Sequence, residues 1–208
     1  KGENLTQRGR EEGIRRLMSI NLLKRLESSV YSFKLTLERI RELITSTIAA
    51  IDKFEKYGMA DIDMYEASDD EFDMDDGNTD YFTVGKKVKI DLADMDYKSW
   101  REELNADADT LELLTLMIED ITPEYDTKLQ TLFDLISKKI EHPINEGNKK
   151  ILIFSAFSDT ADYLYENVSA FVKTKYGLDT AIITGTTDGK STIKGLKATL
   201  NNVLTCFS

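Results

Sequence analysis

Serine, threonine and glycine residues in the last third of the chain are the strongest candidates for binding a ligand. They follow two short apolar runs, and if those runs are parallel strands, they lie at the strands' carboxyl ends. Ligands bind beyond such ends, where helix N-termini present backbone amides to phosphate. We therefore predict that six residues at these ends contact a phosphate-bearing ligand: Ser155, Ser158, Thr160, Gly185, Thr186 and Thr187. The alternative is that these residues form ordinary caps and turns.

The elements that would position these residues are predicted to form a strand, a helix and a second strand. Ile151 to Phe154 is a continuous apolar run, too short for a buried helix, and predicts an interior parallel strand. Ser158 or Asp159 would cap the following helix, which would end near Gly177. Its predicted apolar positions are Ala161, Leu164, Val168, Phe171 and Val172. With Ala181 to Thr184 as the second strand, the pattern predicts one right-handed βαβ unit.

Two stretches of this unit resemble a known family. Lys150 to Leu164 (KILIFSAFSDTADYL), followed by Ile183 to Thr187 (ITGTT), resembles the start of the second RecA-like lobe of superfamily II helicases, in particular the Swi/Snf-type translocases and their bacterial relatives. Upstream, Leu22 to Ser29 with Phe33 and Leu37, and Asp126 to Leu129 with Leu132, resemble helical segments that some bacterial members carry between their lobes.

The resemblance implies a fragment of an ATP-dependent DNA (or RNA) helicase or translocase. Ser155 falls in the family's fourth motif, and Gly185 to Thr187 match its small-residue turn; Lys190 and Lys194 are the candidates for the basic residue that follows. The implied partners are DNA or RNA and the missing first RecA-like lobe. ATP and magnesium are expected for the parent protein, whereas no cofactor or metal is expected in this fragment.

The residues for NTP hydrolysis are missing from the sequence. It contains no phosphate-cradling Gly-x-x-x-x-Gly-Lys-Ser/Thr loop, no apolar strand ending in Asp-Glu, and no arginine after residue 145. We therefore predict no catalytic residue and no ATP hydrolysis by this fragment alone. The single Cys206 and single His142 exclude an internal disulfide and the usual Cys/His zinc sites. We interpret both as structural.

The acidic charge is concentrated in one tract. The formal net charge is -11, and the window from residue 61 to 80 holds ten acidic residues and no basic one. The spacing of these carboxylates does not match a calcium loop. We predict a flexible solvated loop over 58 to 82, with an autoinhibitory polyanion that mimics nucleic acid as the alternative. Residues 1 to 57 carry twelve Lys or Arg against eight Asp or Glu, so any footprint for a polyanion would lie there.

The first part of the chain predicts helices. A heptad pattern from Leu23 to Phe54 predicts one long helix over about 20 to 57, which would pack on later helices or form an intermolecular coiled coil. A short strand is predicted within 83 to 92. Further helices are predicted from Tyr97 to Leu104, from a cap at Asn105 or Asp107 to Ile121, from a Thr122 cap to His142, and from Thr192 to Leu204.

The predicted fold class is α/β with a large α portion: an antiparallel helical bundle followed by an incomplete RecA-like parallel βαβ lobe. The predicted domains are 1 to 145, helical, and 146 to 208, the start of the second lobe. The alternative function is a non-enzymatic coiled-coil interaction module carrying a small α/β domain, with weak self-association through the heptad helix. No run of about eighteen apolar residues and no signal peptide occur, so a cytoplasmic location is predicted.

Overall fold

The computed structural model of the chain describes residues 7–57, 61–62, 90–185 and 189–207. Its elements are α1 (Gln7–Ser28), α2 (Val30–Tyr57), β1 (Asp61–Ile62), β2 (Ile90–Asp91), a 3-10 turn (Leu92–Asp94), α3 (Tyr97–Glu119), α4 (Thr127–Glu141), α5 (Ser158–Tyr176), β3 (Ala181–Ile182), β4 (Lys190–Ser191) and α6 (Leu200–Phe207). The described part is thus mainly helical, as the predicted helical portion requires. None of its helices combines the length and apolar character needed to cross a membrane.

Two compact units divide these elements. The first comprises Lys1–Glu27 and Phe33–Glu119, and the second comprises Ser28–Ser32 and Asp120–Ser208. The predicted domain boundary between residues 145 and 146 lies inside the second unit, because α4 packs against α5 there. The predicted helical and lobe domains themselves remain a prediction.

In the first unit, α2 and α3 form an antiparallel pair. Arg101 of α3 binds Asp52 and Glu55 of α2 at 2.9 and 2.8 Å, whereas Arg41, earlier in α2, meets Glu112, later in α3, at 3.4 Å. The core between them contains the fully buried Ile51 and Leu92, with partly buried residues packed around it: Ala50, Phe54, Met95, Tyr97, Trp100 and Leu104. The antiparallel arrangement follows from this order of contacts.

The predicted single helix over 20 to 57 is wrong, because it is interrupted at Ser29. The Ser29 hydroxyl accepts a hydrogen bond from the Ser32 backbone N–H at 2.9 Å, which is the geometry of an N-cap. Serine side chains compete in this way with the helical backbone ladder, so the heptad pattern continues across two helices rather than one.

Two further helix starts also differ from the prediction. The predicted cap at Asn105 or Asp107 is wrong, since α3 is continuous and the Asn105 side chain donates to the Arg101 carbonyl at 2.8 Å. The predicted cap at Thr122 is wrong as well. Asp126 caps α4, its Oδ1 accepting from the backbone N–H groups of Lys128 and Leu129. The predicted end at His142 is confirmed.

In the second unit, α4 and α5 run parallel. Contacts follow the same order along both: Asp126 with Tyr163, Phe133 with Phe171, and Ser137 with Lys175. Ile136 and Ile140 of α4 form a buried cluster with Val168 and Val172 of α5.

The α5 helix ends at Gly177, which has a left-handed φ of 67°, as predicted. Its predicted cap is wrong, because Ser158 is already helical and Phe157 occupies the cap position without a side-chain bond.

The predicted parallel βαβ unit is not formed. Ile151 to Phe154 contains no helix, turn or bend, and we describe it as an extended segment on that basis, but it is not a strand. β3 instead pairs antiparallel with β4, placing Ala181 opposite Ser191 and Ile182 opposite Lys190. An antiparallel partner needs only a short connection, whereas a parallel one needs a crossover. The structure therefore shows the large helical portion of the predicted fold class, but it does not show an incomplete RecA-like lobe.

The remaining predictions fall at the edges of the described residues. Of the predicted acidic loop, only Asp61 and Ile62 are described, and they pair antiparallel with Ile90 and Asp91, within the segment where a strand was predicted.

The predicted helix from Thr192 to Leu204 is wrong in its first half. Gly195 there has a left-handed φ of 78°, so the helix α6 begins only at Leu200.

The two competing caps of α4 give a stability prediction. We expect Asp126→Ala to lower the free energy of unfolding by about 2 kcal/mol, from the lost cap and from the Tyr163 hydroxyl left without its partner. Thr122 is exposed, and its side chain bonds only to the nearby Glu124. Thr122→Ala should therefore change the free energy of unfolding by less than about 0.5 kcal/mol. Urea denaturation of both variants measures this, and equal losses would contradict the observed cap.

Candidate nucleic-acid interface

Ser155 ends the extended segment and organises the turn into α5. Its hydroxyl donates to the Phe157 carbonyl at 3.0 Å and accepts from the Phe157 backbone N–H at 3.2 Å. The Ser155 residue is exposed while Phe157 is buried beneath it. The hydroxyl therefore holds the turn, and Ser155 as a whole residue remains exposed.

Thr160 lies inside the second unit. Only 4% of its surface is exposed, and its hydroxyl is within hydrogen-bond distance of the Ser28 and Ser29 hydroxyls, at 2.9 and 3.3 Å. Thr160 thus joins α5 to the break between α1 and α2. In this arrangement its side chain supports packing, and its predicted contact to phosphate stays a prediction.

The other predicted contact residues are only partly brought together. Ser158 is the first residue of α5 and is half-buried, and Gly185 is an exposed bend after β3. Thr186 and Thr187 lie outside the described residues. Of the two candidate basic residues, Lys190 donates to Asp162 at 2.9 Å, and this hydrogen bond raises the pKa of the Lys190 amine. Lys194 is exposed.

Next to Ser155 and Thr160 is an open cleft of about 480 Å³. One wall is α4, with Lys128, Leu132 and Leu135, and the opposite wall is the extended segment with Ile153 and Phe154. The Lys128 amine donates to the Ser28 carbonyl at 3.0 Å. The cleft therefore combines a largely apolar lining with a few hydroxyl groups and one ammonium group.

Asp126 and Tyr163 are the buried polar pair of this cleft. Neither residue is among those predicted from the sequence to contact a ligand. The Tyr163 hydroxyl donates to Asp126 Oδ2 at 3.0 Å, and the Tyr163 ring stacks on Tyr31 with centroids 4.9 Å apart. Burial, followed by this hydrogen bond, raises the pKa of Tyr163. Asp126, three residues before Leu129, is a helix-cap signal in the sequence. The Thr122-Pro123 pattern just before it is a competing signal for the start of the same helix.

Within the part of the chain that is described, no group of three or more His, Cys, Asp or Glu residues is placed to hold a metal ion. The exposed thiol of Cys206 has no disulfide partner there. The candidate contact residues offer hydroxyl groups, backbone groups and lysines, which are types of group that can bind phosphate oxygens by hydrogen bonds and charge.

Comparison with known proteins found no protein-family model, no curated protein and no solved structure that matches this chain.

The raised pKa of Tyr163 gives a prediction about stability at high pH. The folded state favours the neutral phenol, so its contribution is present below the ordinary tyrosine pKa of about 10 and is lost as the pH rises above it. We expect Tyr163→Phe to lower stability by about 1 kcal/mol at pH 7 and to make the decline in stability above pH 10 shallower. Urea denaturation between pH 7 and 11 measures both, with Tyr125→Phe, on an exposed tyrosine, as control. An unchanged slope would contradict this account.

Proposed function

We propose that the chain is part of an ATP-dependent superfamily II helicase or translocase, in which it contributes nucleic-acid backbone contacts and lobe coupling but not ATP hydrolysis. The observation that carries this proposal is the resemblance of the Lys150 to Leu164 sequence to the family. This stretch contains an apolar segment, the turn at Ser155 and the start of a helix. The extended conformation of Ile151 to Phe154 and the helix α5 that follows are compatible with that order of elements.

In this proposal the finer fold is the beginning of a second RecA-like lobe. An interior strand of such a lobe is apolar on both faces, which accounts for the continuous apolar run at Ile151 to Phe154. The helices before it would be the interlobe insertion. ATP and magnesium would bind in the parent protein between this lobe and the missing first lobe, and DNA or RNA would run across both.

The backbone of Ser155 and Gly185 would contact the nucleic acid. Both residues are exposed, and both follow an apolar segment at its carboxyl end. Lys194 is an exposed lysine beyond the Gly185 turn, and it would supply positive charge to a nearby phosphate group. Lys190 is paired with Asp162 and so contributes less.

The proposal is tested by fluorescence anisotropy with labelled single-stranded and duplex DNA and single-stranded RNA, in 50 and 200 mM salt. We expect weak binding that falls with salt, and about tenfold weaker binding by the double variant Ser155→Asp with Gly185→Asp, since the added carboxylates repel phosphate. The matched control, Thr174→Asp with Asn201→Asp, adds the same charge at exposed positions elsewhere in the second unit. Equal weakening by both variants, or no binding by the unmodified chain, would refute the proposed contacts.

A second candidate function is the non-enzymatic interaction module. It is favoured by exposed apolar side chains near the end of α3, where Leu113, Leu116 and Met117 are 60%, 56% and 69% exposed. We expect a helix-mediated dimer to dissociate on dilution and on Leu116→Glu with Met117→Glu. Sedimentation velocity from 1 to 200 μM measures this, and a monomer throughout that range would exclude the module.

A further inference from the structure

Among the residues that the structure describes, the backbone of the extended segment Ile151–Phe154 has no hydrogen-bonding partner. None of its four N–H or C=O groups bonds to another residue in the described part of the chain. Hydrogen bonds begin again only beside it, where the Lys150 N–H donates to Asn148 Oδ1 and the Phe157 N–H donates to the Ser155 hydroxyl. Because neighbouring peptide groups of an extended chain point to opposite edges, both edges of this segment are vacant.

Most side chains of the segment are exposed as well. Ile151 packs on the core of α4 and α5, but Leu152, Ile153 and Phe154 are 65%, 43% and 89% exposed. The 480 Å³ cleft and a second one of about 370 Å³ both lie between this segment and Leu132 and Leu135 of α4. An apolar extended segment with free backbone groups is a template for pairing with another strand.

The surroundings of the segment carry positive charge. Lys149 and Lys150 precede it and are exposed, Lys139 lines the smaller cleft and Lys128 lines the larger one. The one acidic residue that lines either cleft is Asp126, which is buried and bonded to Tyr163. A strand that pairs here would therefore be favoured by acidic residues at its ends.

We propose that Ile151–Phe154 is a strand-pairing site, which accepts an extended apolar strand with acidic flanks from another polypeptide segment. Main-chain hydrogen bonds would give the affinity, and the lysines would select the flanking charge. A second copy of this chain fits less well, because a twofold pair would bring the same two lysines, Lys149 and Lys150, against the lysines already there. This inference uses only the vacant backbone, the exposed side chains and the charge, and does not rest on the proposed function.

Hydrogen exchange with a synthetic probe tests the site. The probe is a peptide with five alternating valine and isoleucine residues between pairs of aspartates, and a matched peptide has lysines in place of the aspartates. We expect the amides of Ile151–Phe154 to exchange freely in the chain alone and to be protected by the acidic probe. By anisotropy, the lysine-flanked peptide should bind about tenfold more weakly, since two ion pairs are lost.

Two changes separate strand pairing from general adhesion. An acidic probe with N-methylated central amides keeps its side chains but cannot donate, so it should fail to protect the segment. The variant Lys149→Glu with Lys150→Glu should reverse the preference between the two flanks. The proposal is overturned if neither peptide protects these amides, if both bind equally, or if the chain protects them by self-association without a probe. DNA binding is measured separately, so failure here leaves the proposed function standing.

Discussion

The packing of α4 against α5 is the interaction on which the second unit depends. Four buried aliphatic side chains form its centre, the Phe133–Phe171 stack extends it, and the Asp126–Tyr163 hydrogen bond closes one end. The carboxylate of Asp126 performs two tasks there, because one oxygen caps α4 and the other accepts from α5. Loss of this residue would therefore affect the start of one helix and the position of the other.

The parallel direction of these helices constrains the chain between them. The 15 residues of α4 span about 22 Å, and the connection must return that distance before α5 can begin alongside. About seven extended residues cover it, and Ile151–Phe154 supplies the apolar part of this return. Only Ile151 of this run joins the core, so an apolar sequence is left exposed, and its backbone is unpaired among the described residues. This explains why the same segment lines both clefts.

The hydroxyl residues near this segment are used mainly by the protein itself. Ser155 holds the turn into α5, Ser29 caps α2, and the Thr160 hydroxyl lies within hydrogen-bond distance of the Ser28 and Ser29 hydroxyls. Buried hydroxyl groups need such partners, because a lost hydrogen bond is costly away from water. Under the proposed function, the residues that would remain for a phosphate backbone are Ser155, Gly185 and Lys194, all of which are exposed.

Local patterns in the sequence were sufficient to predict the helices with clear periodicity and the helix ends marked by glycine or by His142-Pro143. The buried stripe of α4, the end of α5 at Gly177 and the apolar character of Ile151–Phe154 are examples, because they depend on local spacing and on one residue's backbone preference. Which segments and side chains pair with each other, by contrast, followed only from the folded arrangement. Whether Ile151–Phe154 becomes a strand, whether Asp126 or Thr122 caps α4, and whether Thr160 faces solvent depend on contacts between residues far apart in sequence, which no local pattern records.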